Sequence, residues 1–331
     1  MMEKLPVGVV GVGHLGSLHA KTYAQISSVK FVGIHDIDAQ RANALSAEFD
    51  VKTFDSLDEL LKNVRAVSIA TPTSTHFAIA RKAAAGGVHT FIEKPITETP
   101  AEAQQLIDIA EKRKVIIQVG HIERFNPALL ALEKYNLRPM FVESHRLAQF
   151  NPRGTDVAVV LDLMIHDIDI IVSLVKSPLE KVEANGVAVV SDSIDIANAR
   201  IQFQNGCVAN VTASRISQRK MRKMRLFQRD AYISIDFSDG VAEVFRLVNE
   251  EDSTASNTMM LGKIDHGARK LKIIYEQPEV KEINPLQYEL ETFLRSIESN
   301  SEPPVTAQDG KRALEVAHAI MEKISQQKLP A

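Results

Sequence analysis

Pro6-Val7-Gly8-Val9-Val10-Gly11-Val12-Gly13-His14-Leu15-Gly16 is a short apolar strand running into G-x-G-x-x-G, and Ser17 to Ile26 beyond it has helical character. The three glycines allow, in turn, a tight turn, close approach of backbone to a pyrophosphate, and close packing of helix on strand. The helix N-terminus offers free N–H groups and the positive end of a dipole to the phosphates. A second strand, Val29 to His35, ends at Asp36. An acid there accepts hydrogen bonds from a ribose 2′-OH and repels a 2′-phosphate, which favours NAD over NADP. Asp38 is better placed than Asp36 to cap the following helix, Ala39 to Phe49.

The alternation continues with a helix from Ser56 to Leu61 and a strand from Ala66 to Ala70, broken by Thr71-Pro72-Thr73. A helix from Thr75 to Ala85 precedes the buried strand Val88-His89-Thr90-Phe91-Ile92, which ends in Glu93-Lys94-Pro95. Proline lacks an N–H and fixes its own φ, so the chain leaves the sheet there. Glu93 and Lys94 therefore sit at the carboxyl end of a strand, the edge where open α/β sheets bind ligands. Thr71 and Thr73 occupy another such end and can hydrogen-bond a cofactor. With a helix over Pro100 to Arg113 and a strand over Val115 to Val119, the pattern implies a doubly wound parallel sheet.

A chain of 331 residues suggests two domains, placed at 1–122 and 123–331. Apolar residues at 45% and charged residues at 24% are the balance of an ordinary globular protein. A net charge of −3 gives no protein-wide field toward nucleic acid or anionic membrane. The one cysteine, Cys207, excludes an internal disulfide or multi-cysteine metal site. The N-terminus shows no basic region followed by a long apolar core, so the expectation is a cytoplasmic protein. Val157 to Val175 is strongly apolar but carries Asp162, His166, Asp167 and Asp169, each costly in hydrocarbon, and reads as a buried helix. At 100° per residue Asp162, His166, Asp169 and Ser173 share one face. Such a stripe faces solvent, a polar network or a ligand cleft, and it lacks the Lys, Glu and Arg of a solvated face.

The dinucleotide fingerprint, T-P-T-x-x-H at 71–76, E-K-P at 93–95 and D-x-x-x-H at 162–166 together resemble the Gfo/Idh/MocA family of sugar dehydrogenases. The resemblance weakens beyond about residue 180. It implies an N-terminal Rossmann domain and a C-terminal α/β domain with a large, open, mainly antiparallel sheet. It implies catalytic roles for Lys94, Asp162 and His166. It implies a cofactor-binding set of Gly11, Gly13, His14, Leu15, Gly16, Asp36, Thr71, Pro72, Thr73, His76, Glu93 and Lys94. The string Gly120-His121-Ile122-Glu123-Arg124-Phe125-Asn126-Pro127 is similar to the branch that oxidises UDP-N-acetylglucosamine at C3. His121, Arg124 and Asn126 then join Asp162 and His166 as substrate-binding candidates. Many family members have consecutive glycines just before the aspartate, where this chain has Val157-Ala158-Val159-Val160-Leu161.

Oxidising a secondary alcohol removes a hydride, which a nicotinamide accepts, and a proton, which needs a base of pKa near the working pH. His166 is the expected base, with Asp162 orienting it or holding the substrate hydroxyl. Lys94 as ammonium stabilises the developing alkoxide, although a desolvated lysine can exchange roles with the histidine. His121 and His145 raise a metal reading, but no H-x-H or H-E-x-x-H spacing supports one. The expected function is an NAD-dependent sugar dehydrogenase. The alternatives are an inositol or free-polyol dehydrogenase and a non-catalytic dinucleotide-sensing regulator.

Beyond residue 180 the signal is β: Val182 to Val190, Ile194 to Phe203 and Cys207 to Arg215, with a turn at Gln204-Asn205-Gly206. Met221 to Asp236 reads as one strand, with Arg222, Lys223, Arg225 and Arg229 clustered on a solvated or subunit-facing surface or binding a nucleotide diphosphate. Glu250 to Asn257 reads as a loop, Asn284 to Glu298 and Gly310 to Gln326 as helices. A broad sheet must hide its apolar surface, so a homo-oligomer, dimer or tetramer, is expected through it.

Overall fold

The computed structural model describes residues 4–151, 157–252, 258–266 and 269–327. They divide into two compact units, residues 1–125 with 284–314 and residues 126–283 with 315–331. The first unit alternates β1 (Leu5–Val10), α1 (His14–Gln25), β2 (Val29–His35), α2 (Ala39–Phe49), β3 (Lys52–Thr53), α3 (Leu57–Asn63), β4 (Ala66–Ile69), α4 (Thr73–Ala85), β5 (His89–Glu93), α5 (Pro100–Arg113) and β6 (Ile117–Gly120). Its strands form one six-stranded sheet in the order β3-β2-β1-β4-β5-β6, with every pairing parallel. This is the doubly wound sheet expected from the sequence.

Local chemistry sets the boundaries. Asp38 accepts from Arg41 N–H and caps α2, and Ser56 does the same for α3. Thr99 and Glu102 form a reciprocal capping box on α5, with Pro100 in the first turn. Buried Val7, Val9, Val67, Phe91 and Ile92 fill the sheet centre. Burying each such side chain contributes about 1.5–3 kcal/mol.

The second unit contains α6 (Pro127–Leu130), β7 (Phe141–Leu147), α7 (Ile165–Val175), β8 (Leu179–Val187), β9 (Ile196–Phe203), β10 (Val208–Ser214), β11 (Met221–Gln228), β12 (Ala231–Asp236), β13 (Val241–Asn249), β14 (Thr258–His266) and β15 (Arg269–Glu276). The strands make one nine-stranded sheet, β14-β15-β13-β12-β11-β7-β10-β9-β8, antiparallel except for β7 beside β10. One face, with Val142, Val211, Leu226, Ile233 and Val244, is buried, and α7 packs on it over β7 and β10. The alternate residues, such as Glu143, His145, Arg225 and Phe227, form the opposite, open face. The single strand read over Met221 to Asp236 is two strands, because Arg229-Asp230 turns the chain and Gln228 pairs with Ala231. The loop read over 250–257 includes a turn at 250–252, and residues 253–257 lie outside those described.

Two helices follow, α8 (Pro285–Ser299), capped by Asn284, and α9 (Ala307–Ser325). α8 returns to the first unit, where its Leu290, Phe293, Leu294 and Ile297 join the core beside α1. Among the described residues no helix is long and apolar enough to cross a membrane.

Candidate active site

The turn between β1 and α1 is shaped by absent side chains. Gly11 has φ of +80°, and a Cβ on Gly16 would lie 1.8 Å from Gly11 O. Gly13 precedes α1 as its N-cap with no side-chain hydrogen bond, so the first N–H groups of the helix have no capping side chain. A Cβ on Gly13 would meet only Arg41 Nη1, at 3.8 Å, so the backbone here is open to a ligand. Leu15 is exposed beside it. At the end of β2, Asp36 accepts from Val12 N–H at 2.6 Å and from Asp38 N–H at 2.8 Å, with Arg41 Nη1 3.8 Å away. A tight glycine cradle, an uncapped helix N-terminus and a fixed carboxylate beside them fit a dinucleotide.

The carboxyl ends of β4 and β5 lie on the same edge of that sheet. Thr71 Oγ1 accepts from Thr75 Oγ1 at 2.7 Å, and Thr73 opens α4 behind the exposed Pro72. His76 is buried, with Nε2 2.9 Å from Thr71 O and Nδ1 2.9 Å from Pro95 O. It thereby ties the two strand ends together. Burial holds its pKa below that of an ordinary histidine in spite of both carbonyls. Lys94 follows β5 in a half-buried position.

Glu93 Oε1 meets His19 Nε2 at 2.9 Å, and that ring packs edge-on against Phe91. Burial raises the Glu93 pKa, but His19 and the nearby Lys94 and His76 more than offset this, leaving it below the usual carboxylate range. His19, only 1% exposed, carries the E-K-P strand to the dinucleotide helix, and the sequence reading missed it. The available signal was a histidine three residues past Gly16, on the helix face that also buries Ala20 and Tyr23.

In the second unit Asp162 lies in a single π-helical turn, Val160–Met164, and His166 follows at the start of α7. The helix read from Val157 therefore begins later and in a wider register. Asp162, His166 and Ser173 are half-buried, but Asp169 is fully buried, so the stripe is not uniformly open. Ser173 Oγ donates to Ile170 O within its own helix.

Buried Arg–Asp pairs hold this segment. Asp167 accepts from Arg146 Nε at 2.6 Å and from Ser144 Oγ at 2.9 Å, both on β7. Asp195 accepts from the N–H groups of Val189, Val190 and Ser191 and lies 3.7 Å from Arg215 Nε. Arg215 Nη2 donates to Val157 O, and Val159 N–H donates to Ile194 O at 2.9 Å. Burial raises the Asp195 pKa, but the Ser191 hydroxyl and these N–H groups pull it well below the usual range.

The other predicted residues have varied settings. His121 is buried just past β6, and Arg124 lies in a 3₁₀ turn, Ile122–Phe125. Asn126 is buried too, with Oδ1 capping α6 and Nδ2 donating to Phe237 O at 3.2 Å. His145 projects from the open face of the nine-stranded sheet, because its neighbours Ser144 and Arg146 point to α7. It is thus turned away from His166. Among the described residues no three His, Cys, Asp or Glu side chains gather as metal ligands.

Residues 5–121 match the NAD-binding Rossmann fold of the GFO/IDH/MocA oxidoreductase family, and residues 138–243 match the GFO/IDH/MocA C-terminal domain. UDP-N-acetylglucosamine 3-dehydrogenase of Acidithiobacillus ferrooxidans is 44% identical over 245 residues, 74% of this chain and 78% of that protein. A solved structure of the enzyme of that name and organism is similar with a TM-score of 0.87, at 37% identity and 98% coverage of each chain. Myo-inositol 2-dehydrogenase of Thermotoga maritima is 24% identical, covering 97% of each chain. The structure of scyllo-inositol dehydrogenase from Lactobacillus casei, with NAD(H) and scyllo-inositol bound, has a TM-score of 0.78 at 19% identity over 98% of each chain, a likeness of fold alone.

Proposed function

This chain belongs to the GFO/IDH/MocA family of oxidoreductases with an NAD-binding Rossmann fold, and from that premise we propose that it oxidises a secondary hydroxyl of a sugar, namely C3 of a UDP-N-acetylhexosamine. The observation that carries the substrate is the 44% identity to a UDP-N-acetylglucosamine 3-dehydrogenase over 74% of the chain. The Gly120 to Pro127 string supports the same reading.

NAD, when bound, supplies the hydride acceptor. The Gly11–Gly16 turn and the N-terminus of α1 hold its diphosphate, and Asp36 takes the adenosine ribose. Lys94 stabilises negative charge developing on the substrate oxygen, and His166 takes the hydroxyl proton, with Asp162 orienting it. His121, Arg124 and Asn126 serve the sugar and its diphosphate. The retained Lys94 and His166 weigh against a non-catalytic regulator. An inositol or polyol substrate is the second reading, favoured by the full-length likeness to myo-inositol 2-dehydrogenase.

The test is NADH absorbance across UDP-N-acetylglucosamine, UDP-N-acetylgalactosamine, myo-inositol and scyllo-inositol. Turnover with the UDP-sugars supports the proposal, and turnover confined to the polyols replaces it with the second reading. We further infer a homo-oligomer, dimer or tetramer, built through the open sheet face. Phe141, Phe227, Tyr232, Phe245 and Tyr275 form a ladder there, with centroids 5.0–5.8 Å apart, beside pairs such as Arg225 with Glu143. Sedimentation at one chain mass across the micromolar range would contradict this.

A further inference from the structure

The basic cluster on β11 does not form one site, because the strand alternation disperses it. Lys223 pairs with Asp236 at 3.0 Å and Arg225 with Glu143 at 3.4 Å. Arg222 points to the other face, with its pKa lowered by burial. Arg229 stands apart in the β11–β12 turn and borders a cleft of about 480 Å³. That volume lies within the usual range of small-molecule sites.

Four cations line this cleft, Lys134, Arg138, Arg229 and Arg246, against one lining carboxylate, Asp230. Arg246 is held by Glu276 at 3.7 Å, and Glu276 also accepts from Tyr135 Oη at 2.7 Å. Counting Glu276, the cleft keeps an excess of two positive charges. Among the described residues neither the Arg138 nor the Arg229 guanidinium has an ion pair. Gln228, beside Arg229 in the chain, ties the backbone at Arg138 to the β11–β12 turn. Gln228 Oε1 accepts from Arg138 N–H at 3.0 Å, while its Nε2 donates to Asp230 Oδ1 at 3.0 Å. The apolar part of the lining includes Ile233 and Val244. Cationic side chains beside an apolar lining suit an anion carried on an organic body. Guanidinium groups match phosphate oxygens in paired, charge-assisted bonds.

The cleft is remote from the candidate catalytic histidine. Arg138 also lines a recess beside Val175 and Lys176, at the far end of α7 from His166. Val175 lies nine steps along the helix from His166, roughly 14 Å at 1.5 Å per residue.

We propose that this cleft is a second ligand site, binding a small organic phosphate or diphosphate between Arg138 and Arg229. The site is separate from the proposed sugar-oxidising centre and does not depend on that assignment. Calorimetric titration of the NADH-saturated full chain with inorganic pyrophosphate tests it. One saturable site is expected, weakened at least tenfold in Arg138→Ala and in Arg229→Ala, and unchanged in Lys94→Ala. Both arginines are exposed, so the variants should melt with the wild type. Substitution by lysine should restore part of the affinity, and added salt should weaken binding. No saturable binding, equal affinity in the arginine variants, or loss in Lys94→Ala would overturn the proposal. So would a change of sedimentation coefficient in the arginine variants without a change in pyrophosphate affinity, which would make the cleft a contact between copies.

Discussion

Gly13→Ala should separate folding from cofactor binding. The added methyl meets only a flexible guanidinium at 3.8 Å, and the Gly13 φ of −66° is open to alanine. The fold should therefore lose about 0.5 kcal/mol or less, the usual scale of a surface change. The same methyl stands at the uncapped start of α1, where a phosphate must approach the N–H groups. Losing one or two charge-assisted bonds, at about 1.5 kcal/mol each, weakens NADH binding by about tenfold to over a hundredfold. Gly16→Ala is the contrast, since its Cβ would lie 1.8 Å from Gly11 O and 2.8 Å from Gly11 C. Backbone must move there, which costs on the order of 1–3 kcal/mol of stability. NADH calorimetry and thermal unfolding on both variants read the two effects. Wild-type NADH affinity in Gly13→Ala would refute the placement of the diphosphate over this turn.

Lys94→Ala and His166→Ala should each lower kcat by about 10²–10⁴ while NADH affinity is largely kept; activity retained in both removes the catalytic assignment. Asp36→Ala removes the carboxylate beside Arg41, 3.8 Å away, so the ratio of kcat/KM for NADP over NAD should rise. Stability should fall with acidification in two stages. Burial depresses His76 and His89 below their ordinary 6.5, so the folded state excludes a proton that the unfolded chain takes up. Their contribution is complete above about pH 6.5 and declines as pH falls toward their folded values. Glu93 and Asp195, depressed from ordinary values of 4.5 and 3.8, add stability above those values that is lost below them. His76→Gln should flatten the first stage in urea unfolding, and an unchanged slope there would contradict the buried, neutral imidazole.

The first unit was legible because its signals are local. Asp38 caps α2 as read from sequence, the helix read from Pro100 begins there, and Pro95 stands just past the strand that Lys94 follows. β3 escaped because two residues, Lys52–Thr53, carry no periodicity. β7 and β13 to β15 also went unread. β7 places Ser144 and Arg146 on its buried face, and their partner Asp167 is 21 residues or more away in sequence. An alternation test that expects apolar side chains inside therefore fails there. The π turn at Asp162 and the return of α8 to the first unit likewise depend on long-range packing. The sequence named Lys94, Asp162 and His166 as chemistry-bearing residues, but gave no holding role to the buried groups His19, Asp167 and Asp195.

The most direct measurement follows one hydrogen. UDP-N-acetylglucosamine labelled with deuterium at C3 is incubated with the protein and NAD, and the dinucleotide is examined by mass spectrometry. Sugar oxidation at that carbon predicts reduced cofactor one mass unit heavier than NADH, with a 3-keto sugar formed in equal amount. Unlabelled NADH, or no reduced cofactor from a protein that binds NAD, would contradict it.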